Sequence, residues 1–306
     1  MDYNYELSLK KDIVVELFRE HQINITQSEI FTDHRDYFYR NKMEYALYFD
    51  KEQNRIRLAF HARGSHRKIP IDQSSIERPE IFTAATKIIK ELNSRGEDAR
   101  KYQSLLLRCN HSGEISGGLF ENGKPHPTFP NLTDTILGHT YSYSPNGFFQ
   151  INLPVYELAL TEIKNHISTT KVLDLYSGVG TIGLSVAPSK SLTLVECDKS
   201  AYAELCANCL HFPTAKAVLS KSEDALKYIT PDQTVILDPP RAGCDNKLID
   251  KLLEVLPPKI IYLSCNPATQ ARDVKSLLSK YHIDTIKSYN FFPRTPHIEN
   301  LVVLSL

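Results

Sequence analysis

A single thiol closes the apolar run in IIYLSCNPATQARD, residues 260–273, where Cys265 meets Asn266 and Pro267. A free cysteine is commonly a small buried hydrophobe. It serves as a nucleophile where its surroundings lower the thiol pKa or supply a base. On this stretch alone both readings stand. A second group of residues points to a ligand. In VLDLYSGVGTIGLS, Gly178, Gly180 and Gly183 follow the GxGxxG spacing between an apolar strand and a helix, and Glu196 ends the next strand 22 residues after Asp174. Glycines at such a turn let backbone approach a ligand, and an acid at the second strand's end can grip ribose hydroxyls, so the combination signals an adenosine-containing cofactor. By itself the glycine pattern fits a nicotinamide dinucleotide as well. Two acids favour S-adenosylmethionine. Asp174 sits in the strand just before the glycines, where a cationic ligand is welcome, and Asp238 ends the strand VILDP at the head of DPPR. The carboxyl ends of strands are where ligands bind in open α/β sheets. A turn acid ahead of two prolines is the plainer account of Asp238.

The elements that must position these residues fall into two textures. Residues 6–22 have helical spacing of Leu9, Ile13 and Leu17 with a polar opposite face. Short alternating segments follow: MEYALYF, RIRLAFH, a helix over 78–92, then SLLLRCN and EISGGLF joined at HSG as a hairpin. The Gly- and Pro-rich stretches ENGKPHPTFPN and YSPNG mark a change. Beyond Leu153, helices alternate with apolar strands: KVLDLY, LTLVEC, AVLS, VILDP, IIYLSC and two final strands. That alternation predicts an α/β fold, a doubly wound Rossmann-like sheet, with a smaller α+β domain before it. The expected division is 1–33 for an N-terminal helix packed on the catalytic domain, 34–139 for the α+β domain and 140–306 for the Rossmann-like domain.

Composition bounds the class. The chain of 306 residues is 42% hydrophobic and 24% charged, as in a soluble globular protein. It has no run near the roughly 18 apolar residues of a membrane span and no signal-peptide pattern at MDYNYELSLKKD, so a cytoplasmic protein without membrane attachment is expected. Disulfides are not expected among the six cysteines. Only Cys206 and Cys209 have CxxC spacing, with no second pair to complete a zinc site, so they read as helix residues. Net charge is zero, but from Arg35 to Lys68 nine Lys or Arg face four acids, with aromatic residues interleaved. Cations contact phosphates and aromatic faces stack on bases, which makes this segment either an RNA-facing surface or an ordinary solvated sheet face.

The stretches SPNGFFQIN, VLDLYSGVGTIGLS, LVECD, ILDPPRAG, YLSCNPATQARD and FFPRTPHIENLVVL, in this order across residues 144–304, resemble the RNA uracil-5-methyltransferase family. These are the S-adenosylmethionine-dependent enzymes that form 5-methyluridine in tRNA and ribosomal RNA. The resemblance implies Cys265 as a nucleophile that adds to uracil C6, and Glu299, in TPHIEN, as the base that later removes the C5 proton. It implies cofactor contacts from Gln150 at the methionine end, Tyr176 and Thr181 near the adenosine, Glu196 on the ribose, and Asp238. Thr181 stands where many relatives have asparagine. Cys244, just after DPPRAG, is the competing thiol, because RNA cytosine-5-methyltransferases carry their cysteine directly after a proline. Here Pro240 is followed by Arg241, Ala242 and Gly243, so Cys244 reads as structural. Many relatives also have an OB-like domain and four cysteines on an iron–sulfur cluster. Neither is expected here, since Cys109 is the only cysteine before residue 197 and Ser74 and Ser75 stand where relatives place a cluster cysteine. That resembles the cluster-free tRNA branch and favours a T-loop uridine of tRNA over ribosomal RNA. A catalytically inactive RNA-binding module is the reading from another class.

Overall fold

The computed structural model describes residues 2–25, 29–126 and 129–306, and Pro127 and Thr128 of the ENGKPHPTFPN stretch lie outside the described residues. In chain order the elements are α1 (Tyr3–Glu20), β1 (Glu29–Phe31), β2 (Lys42–Asp50), β3 (Arg55–His61), β4 (Lys68–Pro70), α2 (Pro79–Ser94), β5 (Ser104–Cys109), β6 (Ile115–Glu121), β7 (Lys124–His126), β8 (Leu132–Ile136) and β9 (His139–Tyr143). They continue as α3 (Leu153–Asn165), β10 (Lys171–Leu175), α4 (Thr181–Val186), β11 (Ser191–Glu196), α5 (Lys199–Cys209), β12 (Ala215–Leu219), β13 (Gln233–Leu237), α6 (Asn246–Val255), β14 (Lys259–Ser264), α7 (Pro267–Leu277), β15 (His282–Tyr289) and β16 (Glu299–Ser305).

Two compact units result. The first comprises residues 1–34, 135–141 and 152–306, and the second 35–134 and 142–151. The boundary expected at 139/140 falls inside β9, and residues 142–151 group with the second unit.

The first unit is built on an eight-stranded sheet of order β1-β15-β16-β14-β13-β10-β11-β12. Every neighbouring pair is parallel except the two made by β16, which runs against β14 and β15. The central strands are apolar and covered on both faces, as parallel strands must be. Leu173, Leu175, Val235, Leu237, Ile260 and Tyr262 form one core with Leu248, Leu252, Val274 and Leu277 of the flanking helices. Asp245 caps α6 by accepting from the Lys247 N–H at 2.8 Å. Strand order turns at β10, which lies between β11 and β13, and this opens the crevice at the carboxyl ends of β10 and β13.

α1 belongs to this unit and adds Val14 and Phe18 to its core. Its buried face differs from the apolar stripe of the sequence. Glu6, Lys10, Val14 and Phe18 are buried, whereas Ile13 is 43% exposed. Two charges on an inward face are tolerated because they pair with each other and with main-chain groups, as described below. β1, absent from the sequence reading, extends the sheet by pairing with β15, and Phe31 stacks on Tyr289.

The second unit carries a six-stranded antiparallel sheet, β4-β3-β2-β5-β6-β7. Ile81, Ala85, Ile89 and Leu92 of α2 cover Tyr45, Leu47, Leu58, Leu105 and Leu107 on one face. Gly117 must be glycine, since at φ +130° a Cβ would come within 2.2 Å of the Leu106 carbonyl oxygen. Among the described residues no helix is long and apolar enough to cross a membrane.

Candidate active site

The site begins at the ends of three strands. β14 ends at Ser264, so Cys265 stands at its carboxyl end, and Asn266 and Pro267 turn the chain into α7, proline taking the first helical turn where its missing N–H is harmless. β16 begins at Glu299 and runs back along β14, pairing Ser264 with Asn300. The antiparallel register thus sets Cys265 and Glu299 at the same end of neighbouring strands. Asp238 follows β13, the neighbour of β14 on its other side.

Electrostatics tie the three together. Burial pushes the Cys265 thiol up to about 11. Glu299 and Asp238 push the same way, and Arg241 pulls it down. Burial holds Glu299 well above the usual carboxylate range, reinforced by Asp238 and opposed by Arg241. Asp238 is raised to about 7 by burial.

Arg241 therefore acts on both the thiol and the carboxylate, and its position is fixed on two sides. Its carbonyl accepts from the Asn266 side-chain amide at 2.8 Å and from the Thr269 hydroxyl at 3.2 Å, which locks the DPPR turn to the start of α7. Its Nη2 lies 3.0 Å from Nδ1 of His297. Beneath this layer, buried Gln270 donates to the carbonyls of Tyr262 and Asn300 at 2.8 and 3.0 Å and accepts from the Asn300 side chain at 2.7 Å. Asn300 also accepts from the Ser288 hydroxyl at 2.8 Å, so one polar network spans α7, β14, β16 and β15.

The glycine turn lies on the other side of the crevice. Gly178 and Gly180 have φ of 55° and 92°. A Cβ on Gly183 would meet Asp174 Oδ2 at 2.7 Å. Asp174 is fully buried. Its Oδ2 accepts from the Gly183 N–H at 2.9 Å, and its Oδ1 has no hydrogen-bond partner among the described residues. Burial raises it to about 8, against the Gly183 N–H and with help from Asp238 and Glu196. Glu196 accepts from the N–H groups of Gly178, Cys197 and Asp198 at 2.9, 2.7 and 2.6 Å, which fixes its carboxylate beside the turn. An orphaned buried carboxylate oxygen, two further acids and a glycine cradle fit a ligand that combines a cationic group with ribose hydroxyls.

The remaining residues named from the sequence lie as follows. Thr181, first in α4, exchanges a 2.8 Å hydrogen bond with the Tyr156 hydroxyl, and Tyr156 feels both Asp238 and Asp174. Tyr176 takes a left-handed φ of 63° after β10 and packs against the core. Gln150 is in the second unit, where its carbonyl accepts from the Asn41 side chain at 3.1 Å. There Lys42 donates to the carbonyls of Asn146 and Gly147, and Arg108 to that of Phe149 at 2.8 Å, so the loop leading to Gln150 is held by two cations. Cys244 is buried in the core, its N–H on Asp273 at 2.8 Å and its thiol pushed up to about 12, and Cys206 and Cys209 lie on α5. Arg241 and His297 are inside motifs quoted above, yet sequence reasoning assigned them no role. Tyr156 is not singled out from the sequence.

Comparison with known proteins agrees with this geometry. The pattern of the tRNA (Uracil-5-)-methyltransferase family matches residues 224–306. An uncharacterized RNA methyltransferase of Staphylococcus aureus is 30% identical, over 100% of this chain and 81% of that protein. One from Prochlorococcus marinus is 29% identical, over 98% and 86%. The crystal structure of the Pyrococcus abyssi tRNA (uracil-54, C5)-methyltransferase in complex with S-adenosyl-L-homocysteine shares the fold, with a TM-score of 0.83 at 22% identity, covering 99% of this chain and 84% of that one. With the ordered motifs, the shared fold and relatives that match along nearly its whole length, this chain belongs to the RNA uracil-5-methyltransferase family.

Proposed function

We propose that this chain methylates carbon 5 of a uridine in RNA, with Cys265 as nucleophile and Glu299 as base, and that its substrate is a T-loop uridine of tRNA. The observation that carries the reading is the β14–β16 register, which pairs Ser264 with Asn300 and so brings a thiol and a buried carboxylate to one strand end beside Arg241.

S-adenosylmethionine, the family's methyl donor, supplies an electrophilic methyl group when bound. Asp174, Glu196 and Asp238 are the acids that would hold it, with Thr181 and Tyr176 as further contacts. Uracil C5 is a weak nucleophile. Addition of the Cys265 sulfur to C6 forms an S–C bond and moves an electron pair through the ring to O4, which makes C5 nucleophilic. The thiol proton passes to water as that bond forms, and Arg241 stabilises the developing thiolate against the opposing carboxyls. Once C5 carries the methyl group, Glu299 takes the C5 proton, the C5–C6 double bond returns and the sulfur departs. A carboxylate held well above its ordinary range is the stronger base for that step.

Support for tRNA comes from the family pattern and from the fold shared with an enzyme named for uracil 54 of tRNA. The second unit is the proposed RNA surface. Its exposed cations Arg63 and Arg67 lie in the connection from β3 to β4. Purified protein, S-adenosylmethionine and either tRNA or ribosomal RNA fragments, followed by nucleoside analysis and a denaturing gel, test the reading. Wild type yields 5-methyluridine in tRNA, Cys265→Ala yields neither product nor adduct, and Glu299→Gln stays attached to methylated RNA. Turnover by Cys265→Ala overturns the mechanism, and product in ribosomal RNA alone overturns the tRNA assignment.

A further inference from the structure

The connection from β15 to β16, Asn290 to Ile298, has no regular structure, yet it delivers both His297 and Glu299. One face of α1 grips it. Lys10 Nζ donates to Asn290 Oδ1 at 2.7 Å and to the Phe292 carbonyl at 3.0 Å. Glu6, 3.1 Å from Lys10, accepts the Arg294 N–H on both oxygens at 3.0 and 3.1 Å. Arg294 has φ of 63°, a left-handed conformation that a non-glycine residue keeps only when its surroundings hold it. The Tyr3 hydroxyl meets the Asn290 amide at 3.3 Å.

From there a continuous chain of contacts runs to the thiol. The Phe292 carbonyl that takes the Lys10 ammonium also accepts from the Thr295 hydroxyl at 2.8 Å, and that hydroxyl accepts the His297 N–H at 3.3 Å. The Phe292 ring meets the His297 ring edge-on at 5.8 Å. His297 holds Arg241, whose carbonyl is tied to Asn266 next to Cys265 and whose charge draws the thiol pKa down. A buried ion pair is a weak source of stability, because well-packed apolar side chains of similar volume usually do as well. What Glu6 and Lys10 supply beyond packing is direction, fixing one carbonyl and one N–H of the loop.

We propose that Glu6 and Lys10 are positioning residues for the methylation reaction: by clamping the Asn290–Arg294 segment they set His297, and through it Arg241, against Cys265. This rests on Cys265 being the nucleophile, so Cys265→Ala is run beside every variant. In full-length protein, Lys10→Met should lower kcat by about tenfold to a hundredfold with KM for tRNA and affinity for S-adenosylhomocysteine little changed, as expected when geometry at the reacting centre slips. It should also slow alkylation of Cys265 by iodoacetamide and move its pH profile upward, since a displaced Arg241 no longer offsets Glu299 and Asp238 at the thiol. Lys10→Arg, which keeps a charged donor, should recover most of the rate. Val14→Ala, which opens the core on the same helix face, controls for stability and should lower Tm while leaving the alkylation profile in place when rates are taken well below melting. Should Lys10→Met fail to fold, Lys10→Gln and Glu6→Gln carry the same readouts. Wild-type-like kcat and alkylation in folded Lys10 and Glu6 variants overturn the proposal. Activity in Cys265→Ala overturns instead the assignment of the nucleophile on which it rests.

Discussion

Ser264 and Asn300 are register partners, and the residues just beyond them, Cys265 and Glu299, lie 34 positions apart in the chain yet side by side at the edge of the crevice. The reversed strand β16 produces this. A parallel strand in its place would bring its carboxyl end, not its first residue, to the crevice. The thiol and the carboxylate are therefore brought together by a strand pair: Glu299 raises the thiol, and both feel Asp238 and Arg241.

That coupling predicts a reactivity pattern. With the thiol pushed up to about 11, iodoacetamide labelling of Cys265 should climb steadily with pH across the neutral range. Glu299→Gln removes the Glu299 contribution that raises the thiol and should speed labelling by about three- to tenfold at a pH where that carboxyl is ionised. Arg241→Met should slow it by a similar factor. Peptide-resolved mass spectrometry separates Cys265 from exposed Cys197. Slower labelling in Glu299→Gln would contradict the coupling.

The acids of the crevice predict a proton balance. Asp174 and Asp238 are raised to about 8 and about 7, so near neutral pH the free protein holds protons there that an unfolded chain would release. Their contribution to stability is complete below the ordinary carboxylate range and is lost as pH rises through about 7 and then about 8. A sulfonium cation favours the ionised acids, so binding of S-adenosylmethionine should release protons and tighten between about pH 6 and 8. S-adenosylhomocysteine, without that charge on sulfur, should show the weaker pH dependence. Calorimetry in buffers of different ionisation enthalpy measures the release, and equal proton counts for both ligands would contradict the assignment.

Much of this was legible in the sequence, and the exceptions share a physical cause. The alternation of apolar strands and helices beyond Leu153 carries the doubly wound sheet, and the order of the motifs carries Cys265, Asp238 and Glu299 to one end of it. The reversed direction of β16 is invisible to periodicity, because a buried strand reads alike in either sense. α1 misled for another reason: Leu9, Ile13 and Leu17 make an apolar stripe, but the buried face holds Glu6 and Lys10, whose partners lie some 280 residues away. Lys42 and Lys68 belong to the segment read as either an RNA-facing surface or a solvated sheet face, and each is engaged within the fold: Lys42 donates to the carbonyls of Asn146 and Gly147 and Lys68 to that of Leu47.

The network under the site should carry stability as well as register. Gln270 serves two carbonyls and the Asn300 amide from a fully buried position. Gln270→Ala leaves those groups unsatisfied and should cost about 2–3 kcal/mol. Thermal melting should fall by about 5–10 °C. Unchanged melting would show that water or a neighbouring side chain takes over the bonds.

The cations of the second unit divide by what they already hold. Arg57 is committed to Asp50 at 3.1 Å and to Asp72 at 2.9 Å, and Lys68 to its carbonyl, so reversing either would disturb the sheet as well as any RNA contact. Arg63 and Arg67 are exposed between β3 and β4 and offer a cleaner test. Turning a uridine out of its loop costs a few kcal/mol, which contacts elsewhere on the RNA must offset. Arg63→Glu with Arg67→Glu should weaken tRNA binding and reduce the slope of log K against log salt by about one to two, while the affinity for S-adenosylmethionine and the alkylation of Cys265 stay as in wild type. Filter binding across a salt series measures the slope. Wild-type affinity and slope in the double variant would remove this hairpin from the RNA surface and turn attention to the exposed rings of Tyr37 and Phe38 in the same unit.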